Sequence, residues 1–133
     1  LAQLACHPPL LESLMVFSGA LAALNALRAR RNQFYQQVNE NGMVKQELDF
    51  LSETTPVYKL IGPVLMKQDL PDAKQNVDKR IEMIQREMEK LEKQINEKEE
   101  LHTEARKKIM AMQQDMKAKA AEEVQKIVDE MKE

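Results

Sequence analysis

Tryptophan is missing from this chain of 133 residues, and the remaining aromatics are two Tyr and three Phe. A compact globular core draws much of its buried area from aromatic rings, so this composition does not point to one. Cysteine occurs once, as Cys6. That excludes an internal disulfide framework and fits a reducing compartment. Neither sign of charge dominates: 20 basic residues stand against 22 acidic ones, a net charge of -2. This balance argues against nucleic acid or an anionic membrane as the main partner. No glycine-rich phosphate loop is present. The most apolar stretch, LMVFSGALAAL at 14–24, falls short of the roughly 20 residues a membrane-spanning helix needs. It also lacks the basic segment that precedes a secretory leader's apolar run. The chain starts with Leu, which leaves open a fragment, a processed form or an imperfect gene model.

What is present is the material of long helices. Charged residues make up 32%, nine Met accompany Leu, Ile, Val and Ala, and Gly numbers only three. Pro8 and Pro9 are expected to keep a helix from starting before about Leu10. Helical spacing then runs through Leu11, Leu14, Leu21, Leu24, Leu27 and Phe34, and on through Val38, Val44, Leu48 and Leu51. Gly19 and Gly42 weaken this helix by up to about 1 kcal/mol each relative to Ala. The run SETTP ends it at about residue 52, because a residue before Pro is pushed out of helical space.

A second helix is predicted from about residue 72. Pro71 lies in its first turn, or Asp72 caps it with Gln75 three residues on. From Asp72 to Glu133 there is no Gly or Pro. Val77, Ile81, Ile84, Met88, Leu91 and Ile95 alternate in steps of four and three, which is a heptad seam. The seam weakens between Lys98 and His102, where Leu101 is out of phase. It resumes at Ala105, Ile109, Met112 and Met116, slips at Ala120, and continues through Val124, Ile127 and Met131. Such slips unwind a coiled coil locally.

Between the helices lies VYKLIGPVLMKQ at 57–68. Gly62 and Pro63 suit the two central positions of a type II′ turn: Gly takes the positive φ and Pro the negative one. The turn pairs Ile61 with Val64 and Leu60 with Leu65. One face then carries Val57, Ile61, Val64 and Met66; the other carries Tyr58, Leu60 and Leu65. A lone hairpin is marginal in water, and this one is apolar on both faces with two unpaired edges. The chain offers no other strand to cover it. The hairpins of several chains are therefore expected to pair into a shared sheet or barrel. The predicted fold is mainly α, an antiparallel two-helix coiled coil with one β-hairpin between the helices, the hairpin joining an intersubunit β-barrel.

The runs NENGMVKQELDFL at 39–51, VYKLIGPVLMKQDL at 57–70 and AKQNVDKRIEMIQREMEKLE at 73–92 resemble the prefoldin β-class subunits, most closely the eukaryotic subunit-six type. The Gly-Pro hairpin is the most specific element. The likeness covers about Arg31 to Ala120. Residues 1–30 depart from it, being apolar where the family has a polar first helix; they are read as the distal part of the first arm or as a non-native segment, and the domain is drawn at 31–133. The resemblance implies a heterohexamer of α- and β-class subunits whose hairpins build a double β-barrel carrying six coiled-coil arms. It implies capture of unfolded clients, actin and tubulin among them, and their delivery to the cytosolic group II chaperonin without ATP. It also implies a cytoplasmic location.

On this reading Val57, Tyr58, Leu60, Ile61, Gly62, Pro63, Val64, Leu65 and Met66 carry assembly. Client contact is expected at Met112, Met116, Val124, Ile127, Val128 and Met131, since flexible Met suits promiscuous apolar surfaces. The competing reading of Met112 and Met116 is a gap-filling seam. For the last apolar residues it is a frayed, solvated helix. His102 reads as a surface or seam residue, and Cys6 with His7 lacks a third ligand, so no metal, cofactor or catalytic residue is expected. The cluster Arg28, Arg30 and Arg31 is too short for a DNA-contacting basic region, and the seam after it is broken by Pro56. The alternative function is a structural coiled-coil scaffold or tether with an N-terminus that docks on a partner or a membrane surface. The hairpin separates the two, because a scaffold has no use for it.

Overall fold

The computed structural model describes residues 7–133. Helix α1 spans Pro8–Phe50, strands β1 and β2 span Val57–Ile61 and Val64–Gln68, and helix α2 spans Leu70–Lys132. The expected architecture, two long helices with a single antiparallel hairpin between them, is present.

The helix ends follow from hydrogen-bond accounting. Pro8 and Pro9 are the first turn of α1 and not a barrier to it. The first-turn N–H groups have no acceptor within a helix, so a residue lacking one loses nothing there. The His7 carbonyl accepts from Leu10 N at 3.0 Å and Leu11 N at 3.2 Å. Likewise α2 begins ahead of Asp72: the Asp69 carbonyl accepts from Ala73 N at 2.9 Å, which puts Leu70 and Pro71 in the first turn. Asp72, in that turn, and Lys132, in the last, each sit at the end of the helix dipole that favours their charge. After α1, the Leu51 N–H turns back to Leu48 O at 3.3 Å. The Ser52 hydroxyl then meets those of Thr54 and Thr55 at 3.0 and 2.9 Å, which fixes a turn ahead of Pro56.

The chain divides into two units. The first is Leu27–Gln94 and contains the hairpin. Within it the helices pair antiparallel, since partners on α2 fall in number as those on α1 rise: Arg31 with Glu92 at 3.2 Å, Lys45 with Asp78 at 2.6 Å, Asp49 with Lys74 at 3.3 Å. The core closes at the root of the hairpin. Leu48, Leu70, Ala73 and Val77 are buried together, and Leu51, Val57 and Ile81 pack against them. Leu91 is buried further along α2. Arg31 takes an inward, half-buried position and Arg30 lies 5.5 Å from the Phe34 ring centroid. Arg30 and Arg31 are thus engaged within the unit.

The second unit holds the residues up to Ala26 together with Ile95–Glu133. Here too the pairing is antiparallel: Phe17 stacks on His102 with centroids 4.3 Å apart, while Pro9 and Leu10 lie beside Met112 and Met116. The inward frame of α1 differs from the expected one. Leu10, Ser13, Ala20 and Leu24 are buried and Phe17 half-buried, in steps of three and four. Leu11 and Leu21 point outward, as does Val44 in the first unit. The largest side chains do not set the frame; the positions in phase with Leu24 do, and small Ser13 and Ala20 serve there because helices approach closely at small residues. On α2, Lys98 and His102 are half-buried, in step between Ile95 and Ala105. The seam is therefore continuous where apolar residues alone had suggested a gap.

This frame predicts an asymmetric pair of variants. Leu10 is 6% exposed and Leu11 45%. Leu10→Ala is expected to cost about 2 kcal/mol of unfolding free energy, and Leu11→Ala less than about 0.5 kcal/mol. Denaturant melts of both checks this; equal costs would reject the frame. The apolar run 14–24 is also longer in context than it looks alone. One window of α1 is long and apolar enough, by length and composition, to cross a membrane, and 22% of that window is buried.

Candidate assembly and docking surfaces

The hairpin is built as its sequence dictates. Val57 pairs with Gln68, Tyr58 with Lys67, Lys59 with Met66, Leu60 with Leu65 and Ile61 with Val64. Gly62 has φ 57°. A positive φ at the first central position, followed by Pro63, whose ring forbids one, is the signature of a type II′ turn. That turn matches the right-handed twist of the strands it joins. No atom lies within 4 Å of a Cβ added at Gly62, so a side chain there meets only backbone strain. Gly62→Ala is expected to cost about 1–2 kcal/mol. The check is the thermal midpoint of the assembled protein, and no change would argue against the turn as fixed.

Strand alternation distributes the predicted assembly residues over both faces. Val57, Ile61, Val64 and Met66 share one face with Lys59 and Gln68; Tyr58, Leu60 and Leu65 share the other with Lys67. Val57 is tied into the core at the hairpin root. The rest stand clear: Tyr58, Leu60, Ile61, Val64, Leu65 and Met66 are between 50% and 67% exposed. Beside the hairpin a cleft of about 320 Å³ is lined by Val44, Leu48, Tyr58, Leu60 and Val77, among others. Rigid helix ends thus hold up a strand pair with apolar side chains on both faces and free edges, a geometry suited to adding strands from elsewhere.

The predicted client-contact residues do not form one group. Met112 and Met116 are half-buried beside the start of α1, where both line one cavity with Leu10. Val124, Ile127, Val128 and Met131 are all exposed, and every residue after Met116 is exposed. The two Met therefore sit at the edge of the seam, and the later four lie on a helix segment that no described residue covers.

Surface charge stitches the first unit. The Asp78 carboxylate hydrogen-bonds the Lys45 ammonium and holds its pKa above the ordinary lysine range. The Lys90 ammonium, 2.8 Å from Glu87, holds that carboxyl below its ordinary range. Both pairs face solvent and are screened by salt. Sequence reasoning missed the half-buried Lys98 and the Phe17–His102 stack, whose signal was their place in the three-four spacing and not their polarity. The Nε2 of His102 is buried without a hydrogen-bond partner. Cys6 lies outside the described residues. No group of three or more His, Cys, Asp or Glu suited to a metal occurs among the described residues.

Comparison with known proteins agrees with this geometry. A family model described as prefoldin subunit matches residues 14–116. Prefoldin subunit 6 of Arabidopsis thaliana is 48% identical over 84 residues, which is 63% of this chain and 65% of that protein. The probable prefoldin subunit 6 of Caenorhabditis elegans is 41% identical over 98 residues, 72% of this chain and 78% of that protein. The match thus spans just under two thirds of the first relative's length. Among solved structures, the prefoldin beta subunit from Thermococcus strain KS-1 superposes with a TM-score of 0.75, covering 79% of this chain and 92% of that one. At 19% identity that likeness speaks for the fold.

Proposed function

This chain belongs to the prefoldin subunit family, and on that premise we propose that it acts as a β-class subunit of a hexameric, ATP-independent co-chaperone. The observation that supports this most is the hairpin, apolar on both faces, with its root locked into the helix pair. In the proposed assembly Val57, Tyr58, Leu60, Ile61, Val64, Leu65 and Met66 enter a β-barrel shared with other α- and β-class subunits, and Gly62 and Pro63 set the turn. Assembly and the shared architecture belong to residues 31–133. Within the atypical apolar segment 1–30, the described residues 7–30 are read as the distal part of the first arm.

Client capture is proposed at the far part of α2. Met112, Met116, Val124, Ile127, Val128 and Met131 offer flexible apolar contacts, each weak. Several arms in one particle multiply them by effective concentration, so avidity replaces a deep pocket. The clients are unfolded polypeptides such as actin and tubulin chains, handed to the cytosolic group II chaperonin; the location is cytoplasmic. The role is binding and delivery, with no catalytic step.

The test is the native mass of the particle purified through this chain from its own cells. About six chains, including other hairpin-bearing coiled-coil subunits, is the expected result. A dimer of this chain alone would overturn the proposal. One observation favours a second reading, a tether docked on a membrane: the apolar, largely uncovered window of α1. Flotation of the chain with neutral lipid vesicles, in the absence of the other subunits or clients, would support that reading.

A further inference from the structure

In the second unit the described residues of α1 cover α2 over only part of its length. Leu10, Ser13, Phe17 and Ala20 of α1 pack on α2 as far as Met112 and Met116. Beyond Met116 every residue of α2 is exposed, yet the apolar spacing does not stop. Ala120, Val124, Ile127 and Met131 follow in steps of four, four, three and four. Two successive steps of four make a local eleven-residue repeat, which straightens a coiled coil without moving its seam to another face. The same face of α2 that receives α1 therefore runs on to Met131 with no described residue over it, Ile127 being 56% and Met131 82% exposed.

A seam of this spacing is shaped for a helix. Knobs placed alternately three and four residues apart interdigitate with another helix carrying the same spacing. An extended segment presents its side chains with a period of two and matches such a seam poorly. The rims add a preference of charge. At heptad spacing Glu123 and Glu130 border the seam on one side, and Ala121 and Val128 border it on the other. Lys119 and Lys126 fall further out on the acidic side. Gln125 and Asp129 are joined to each other by a hydrogen bond of 2.8 Å and lie off the seam.

We propose that the end of α2 binds client segments as amphipathic helices that continue the place of α1 along the seam, and that it favours helices with a basic rim. The inference rests on the client-contact reading given above and names the conformation and charge of what that site takes. It follows from continuity with the α1–α2 seam and from the acidic border. Helix formation on contact offsets part of the binding energy with ordering entropy, so single contacts stay weak and reversible.

The experiment uses the full chain in its complex and three fluorescent synthetic peptides. The first has Leu and Ile at heptad spacing with Lys rims; the second has the same seam with Glu rims. The third has the composition of the first with its apolar residues at alternate positions. Affinity is read by anisotropy and helix formation by circular dichroism. The first peptide is expected to gain helicity on binding and to bind about tenfold tighter than the third. It should bind about threefold tighter than the second, the scale of two rim charge pairs. Glu123→Lys with Glu130→Lys should reverse that last preference, and Val124→Asp with Ile127→Asp should remove the first peptide's advantage while the complex stays intact. Equal binding of the first and third peptides would overturn the helix proposal and leave client contact standing. An unchanged rim preference in the charge-reversed complex would overturn the charge selection. Binding of no peptide would overturn this proposal and the client-contact reading together.

Discussion

Leu60→Asp combined with Ile61→Asp is expected to release the chain from its complex while leaving its helices formed. The two side chains lie on opposite faces of β1, beside the turn. They are 67% and 50% exposed in the single chain, so their apolar area is idle until another surface covers it. Covering a side chain of this size contributes about 1.5–3 kcal/mol. Two such losses amount to more than a hundredfold in association, before the further cost of burying a carboxylate without a partner. Within the chain the change costs little, because the locked core at the hairpin root uses Val57 and not its neighbours. Size-exclusion chromatography should show the variant outside the peak of the proposed hexamer, with a far-ultraviolet circular dichroism signal close to that of the parent. A variant that still enters full-size particles would mean that the hairpin faces are not the assembly surface. Unfolding of the variant alone would instead mean that the hairpin supports its own helices, and the free edge would need another explanation.

The hairpin was legible in the sequence because its determinants are local. Gly62 and Pro63 admit one turn type, the turn fixes the register, and the register assigns every side chain to a face. The pairing of Ile61 with Val64 and Leu60 with Leu65 follows from those two residues alone. The frame of α1 was not legible in the same way. Apolar residues surround that helix between Ser13 and Leu27, so hydrophobicity names no preferred face and size misleads. Leu11 and Leu21 look like seam residues, yet Ser13 and Ala20 are the buried ones. The partner helix decides, through closeness of approach, and that information lies far along the chain. His102 shows the same limit from the polar side: its place opposite Phe17 is set by spacing, which a search for apolar residues passes over. The start of α1 was misjudged for a simpler reason. Proline was taken as a barrier at 8 and 9, where the first turn accommodates a missing N–H, an allowance already made for Pro71.

Removing residues 118–133 is expected to weaken capture of unfolded clients several-fold and to leave both assembly and stability unchanged. All but the last residue of the segment belong to α2 and every one is exposed, so its removal uncovers no core. The stability cost should stay below about 0.5 kcal/mol, as for changes that touch no buried contact. What is lost is an uncovered apolar face, Val124, Ile127, Val128 and Met131, with no structural task among the described residues. Four large apolar side chains exposed together at helical spacing make the kind of patch that marks an interaction site. Met112 and Met116 remain in the truncated chain, half-buried beside α1. The residual capture therefore measures what the edge of the seam contributes by itself. The readout is suppression of client aggregation by complexes of equal subunit composition and equal melting temperature, compared at equal molar concentration. A truncated complex that protects clients as well as the intact one would move client contact away from the end of α2, and the two Met at the seam edge would become the first place to look.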